Sequence, residues 1–160
     1  MIIILTGIVV FLLAAIYFVK QKRVNDKKNT QLQGVLYIGL IKKLITLVQQ
    51  HRGLSSAWLS GDTKVKTKLV VLKQQISQLI KELELSEVKQ NERWVSFADH
   101  WQRLLKLDNK PSVENSFEQH TMMIRNLAYL LEDTAEKSFL TGDFIAPLPN
   151  IGYVWRELVL

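Results

Sequence analysis

The residues of this chain whose types and spacing could do chemistry gather in Leu47–Asp62, LVQQHRGLSSAWLSGD. Steps of three or four from Ile38 pass through Ile41, Ile45, Val48, Arg52, Ser55 and Leu59. That is an apolar helical seam with a guanidinium and a hydroxyl set into it. A guanidinium keeps its charge at any ordinary pH, and burying it unpaired costs several kcal/mol. Arg52 on a seam therefore calls for an anion, either a carboxylate such as Glu82, Glu118 or Asp99, or a small bound ligand. Its planar fork of donors suits an oxyanion. His51 is its neighbour, and Ser55 lies one turn on along the same face. His120 lies on a second predicted seam, between Phe117 and Ile124, and could donate to the same anion if the two faces meet. The candidate ligand-binding residues are Arg52, His51, Ser55 and His120.

Other chemistries find no pattern. His51, His100 and His120 fall on three predicted helices without HxxxH or HxxE spacing, so no metal site is expected. The chain has no cysteine, which excludes disulfides and thiolate metal sites. There is no nucleophile elbow, glycine-rich phosphate loop, paired-carboxylate pattern or HExxH. The expectation is a protein that is not an enzyme and carries no cofactor. Trp58, Trp94, Trp101 and Trp155, with Phe97, stand at helical spacing and read as core.

The elements that must position these residues are all helical. Only three prolines and seven glycines interrupt 160 residues, and 48% of the chain is hydrophobic. Ile2–Val19 is an uncharged run of eighteen residues, about 27 Å as a helix against a hydrocarbon core of roughly 30 Å. No charged side chain precedes it, unlike the n-region of a signal peptide. It reads as a membrane anchor over residues 1–20. Lys20, Lys22, Arg23, Lys27 and Lys28 follow, against Asp26 alone. They form a basic juxtamembrane linker over 21–30 that can rest on anionic lipid, so residues 2–28 are the membrane-contacting part. By the positive-inside rule the rest faces the cytoplasm from the inner membrane. Asn25–Thr30 reads either as a polar exit from the bilayer or as an uninterrupted extension of the anchor helix. Net charge elsewhere is only mildly basic, and no nucleic-acid surface is expected.

Beyond the linker, residues 31–160 read as a helical bundle. A helix over about 31–59, with Thr30 available as its cap, stops at Ser60-Gly61-Asp62. A second, over about 64–85, carries Leu69, Leu72, Ile76, Leu79 and Leu83, with Lys73, Gln74 and Gln75 on its polar face. A third, over about 91–107, carries Trp94, Phe97, Trp101 and Leu104. A fourth, over about 112–138, begins at a capping Ser112 and carries Phe117, His120, Ile124, Leu127, Leu131 and Thr134. Thr141-Gly142-Asp143 ends it, and Ile151–Leu160 starts another amphipathic pattern whose face of Tyr153, Val154, Trp155 and Leu158 suits a partner helix. The fold class expected is all-α, an antiparallel up-down helical bundle behind one N-terminal transmembrane helix.

The segment HRGLSSAWLSGD, with its arginine-glycine-leucine-serine element, resembles the signature of the bacterial nitrate- and nitrite-sensing domain family. Trp94–Asp143 is similar to the helices that follow it in that family. The resemblance implies an all-helical sensory domain in which the element's arginine, here Arg52, meets nitrate or nitrite and the signal passes to an output module. On that reading 31–160 is an incomplete sensing domain, its ligand a small anion and its partner a protein or output module. A homodimer is compatible with the sequence, which fixes no interface. The alternative is a membrane-tethered helical scaffold or interaction module without a ligand, in which Arg52 is purely structural.

Overall fold

A computed structural model describes residues 2–106 and 111–138, with side chains from residue 11 onward. These residues form four α-helices: α1 Ile2–Leu59, α2 Lys66–Glu84, α3 Glu92–Lys106 and α4 Val113–Lys137. Short 3-10 turns, Thr63–Val65 and Glu87–Gln90, lead into α2 and α3. No strand occurs among the described residues. The expected stop at 141–143, the amphipathic pattern over 151–160 and Trp155 lie outside them.

The segments expected to be anchor, linker and first bundle helix form one helix of 58 residues. Of the two readings of Asn25–Thr30, the uninterrupted extension is the one found. Between Gly7 and Gly34 the chain has neither glycine nor proline. Asn, Asp and Thr inside a helix cost well under about 1 kcal/mol each, too little to break it. Thr30 does not cap. Its hydroxyl donates back to the Asp26 carbonyl at 3.0 Å, a bond made inside a continuing helix. Residues 11–30 are exposed on every side. Among the described residues α1 is the one helix long and apolar enough to cross a membrane.

The helix boundaries follow local chemistry. Gly61 takes φ +106°, the left-handed conformation that ends α1. The Asp62 carboxylate then accepts from the Lys64 amide at 3.0 Å. Ser112 caps α4 by accepting from the Asn115 amide at 3.1 Å.

α1 packs on α4 and α2, and α3 packs on α4. One core joins them, built from Ile41, Leu44, Val48, Ile76, Leu83, Trp94, Phe97, Trp101, Ile124 and Leu127, all at most 2% exposed. The expected apolar positions of α2 are buried without exception, as are Trp94, Phe97 and Trp101 of α3. A polar lock fixes α3 to α4. The Asp133 carboxylate accepts from Arg93 Nε at 2.9 Å and from the Asn91 amide group at 3.1 Å, and the Arg93 guanidinium lies over the Tyr129 ring.

Two seams differ from expectation in the same sense. On α1 the buried series runs Ile41, Leu44, Ile45, Val48, His51, Ser55, with His51 in the place expected for Arg52. On α4 Ser116 is buried and Phe117 is 45% exposed. A step of one residue turns a helix by about 100°, so each seam has chosen between neighbours that flank it.

Candidate functional site

The site lies where α1 meets α4 beside α2 and α3. His51 is 2% exposed and His120 1% exposed, and their rings stack with centroids 5.0 Å apart. His51 Nδ1 and His120 Nε2 are 2.7 Å apart, and Ser55 Oγ is 3.2 Å from the same His51 nitrogen. His120 Nδ1 lies 2.6 Å from the Ser116 carbonyl oxygen. Trp101 meets His51 edge-on, with ring centroids 5.2 Å apart.

These partners assign the protons. A carbonyl only accepts, so His120 Nδ1 carries a hydrogen and donates to Ser116. Burial, the leading cause, pushes the pKa of both rings down, and His51 reaches about 3 with further help from His120 and Lys73. A neutral His120 then presents a lone pair at Nε2, and His51 Nδ1–H donates to it. The remaining nitrogen, His51 Nε2, is a bare acceptor, buried and without a partner, as is the donor Trp101 Nε1. Buried polar groups in this condition are uncommon and mark a place where the hydrogen bonding is incomplete.

The same assignment rules on catalysis by Ser55. A general base must offer a lone pair to the hydroxyl it activates. Ser55 faces the His51 nitrogen that holds a proton, so the pair lacks the arrangement of an activated nucleophile.

Arg52 sits on the other side. It is half-buried, its Nη1 donates to Thr121 Oγ1 at 2.9 Å, and its guanidinium lies 4.5 Å from the Phe117 ring centroid. Among the described residues no carboxylate pairs with it, so Glu82, Glu118 and Asp99 are not its partners. The expectation of a guanidinium locked in the core gives way to one at the core's edge. The physical reason is that imidazole can shed its charge on burial whereas guanidinium cannot. Of the four sequence candidates, His51, Ser55 and His120 are brought together and Arg52 is directed elsewhere. His100 on α3 is half-buried, and burial, the leading cause, lowers its pKa. Among the described residues no group of three or more metal-ligating side chains occurs.

A cavity of about 350 Å³ opens beside the histidine pair. Its polar lining is His51, Ser55, Ser116, His120, Lys66 and Lys73, and among the described residues no carboxylate contributes. Lys73 is half-buried and acts on both histidines, while Lys66 is exposed at the edge. Both lysines escaped the sequence reading, which assigned Lys73 to the outer face of α2. The signal was present: Lys66, Leu69, Lys73, Ile76 and Ile80 follow a 3-4 spacing on one side of the helix. No protein-family model matches this chain, and neither a curated protein nor a solved structure does.

Proposed function

We propose that this protein is a membrane-anchored, non-enzymatic sensory module that binds a small anion in the cavity beside His51 and relays the event to a protein partner. The carrying observation is the cavity's ionisable lining, which among the described residues is cationic or neutral and holds two lysines and two histidines. A lysine ammonium in such a place favours an anion over a cation. Nitrate and nitrite, the anions implied by the arginine-glycine-leucine-serine element, are the first to test. In this reading Arg52 supports the α1–α4 contact rather than the ligand. The apolar N-terminal part of α1 spans the inner membrane, the lysines after it face the cytoplasm, and the helices beyond form an up-down bundle. Anion binding between α1 and α2 shifts the equilibrium between two packings of that bundle.

The test uses the full chain in lipid nanodiscs, melted at constant ionic strength in nitrate, nitrite or chloride. Nitrate or nitrite raises the melting temperature above the chloride control, and Lys73→Gln removes the difference. Equal melting temperatures in all three salts overturn the reading. A tethered scaffold is the second reading, favoured by Leu32, Val35 and Leu36, each more than half exposed on α1 beyond the basic segment. It predicts self-association or partner capture that Leu32→Glu abolishes, with no response to any anion.

A further inference from the structure

We infer that the cavity's own ligand is an organic monoanion, a carboxylate on an apolar body, rather than a bare inorganic ion. The inference rests on the anion-binding reading above and narrows it. Nitrate has four heavy atoms, and it would occupy only a small part of 350 Å³. A cavity of about 150 Å³ is enough to take benzene, so by proportion this one holds a body of roughly fourteen heavy atoms. Its apolar lining includes Trp58, Leu59, Leu69, Leu104 and Leu105. Ligand pockets of this size are typically lined by apolar side chains with a few polar groups fixing orientation. A small ion would leave these walls wet, while an apolar body would cover them.

The charge follows from where the cations stand. Lys66 is exposed and keeps its hydration, whereas Lys73 is half-buried and the histidine pair is held neutral by burial. Among the described lining residues, one half-buried lysine matches one negative charge.

The experiment is calorimetric titration of the full chain in nanodiscs, with empty nanodiscs as control. The probes are 2-naphthoate, its neutral amide and nitrate. The expected result is that 2-naphthoate binds at least about tenfold tighter than either of the others. Lys73→Gln removes the preference for acid over amide. Val70→Trp, at an exposed position of the lining, blocks naphthoate; its melting temperature and circular dichroism report that it is folded. Nitrate binding as tightly as naphthoate overturns this inference and leaves the anion reading standing. Equal binding of acid and amide overturns both, and so does heat no different from that of empty nanodiscs for all three probes.

Discussion

Two sides of one helix contact treat polar groups in opposite ways. On the inner side of α1 against α4, His51 and His120 are almost wholly buried, uncharged and joined nitrogen to nitrogen. On the outer side, one residue along each helix from a buried position, Arg52 keeps its charge over the half-exposed Phe117 and donates to Thr121. The residues are neighbours in sequence, and the difference between them is whether the group can lose its proton. Burial costs imidazole a few pKa units, but it would cost a guanidinium an unpaired charge. The fold therefore places the switchable base inside and the permanent cation at the edge.

That contrast can be broken most directly on the inner side. Trp101→Ala removes a fully buried ring packed against His51, and about 3–5 kcal/mol of stability goes with it, read as a fall in denaturation midpoint. Acidification comes next. His51 has a folded pKa of about 3 against an unfolded 6.5, so below pH 6.5 the unfolded chain binds the extra proton. The stability this ring contributes is complete above pH 6.5 and is lost as pH falls toward 3, by an amount on the order of 4 kcal/mol. At pH 7 His51→Leu is less stable by about 1–3 kcal/mol because His120 Nε2 loses its donor. As pH drops to 3.5, denaturant titrations show that gap closing and reversing. A gap that stays constant would mean the ring is charged or solvated in the folded state. On the outer side the effects are smaller. Arg52→Ala loses about 0.5–2 kcal/mol, the sum of an edge cation–π contact and one hydrogen bond, and the loss is the same at pH 4 and pH 7. A larger or pH-dependent loss would place Arg52 within the buried network.

Much of the helical frame was legible in the sequence, because strong apolar periodicity and local capping decide it. Leu69 through Leu83 on α2, the aromatic spacing of α3, Gly61 and Ser112 all do what their residue types suggest. The site was legible only in part. Periodicity places His51 and Arg52 about equally near the seam, and the choice is made by desolvation. The same ambiguity hid Ser116 behind Phe117. Lys73 was hidden because a long amphipathic side chain can lie along an apolar face and still reach a cavity. The continuity of α1 through its basic segment was one of two open readings, settled by the lack of any residue able to stop a helix there.

The unbroken α1 makes residue count a steering variable. Fifty-eight residues form a rod about 87 Å long with no joint. In the anchored module proposed here, two residues inserted near Asn25 would swing the cavity about 160° around the rod, whereas seven would return it to within about 20° and lift it roughly 10 Å. The compass bearing of the pocket, as seen from the bilayer, is thus written in the length of a stretch that touches nothing in the core.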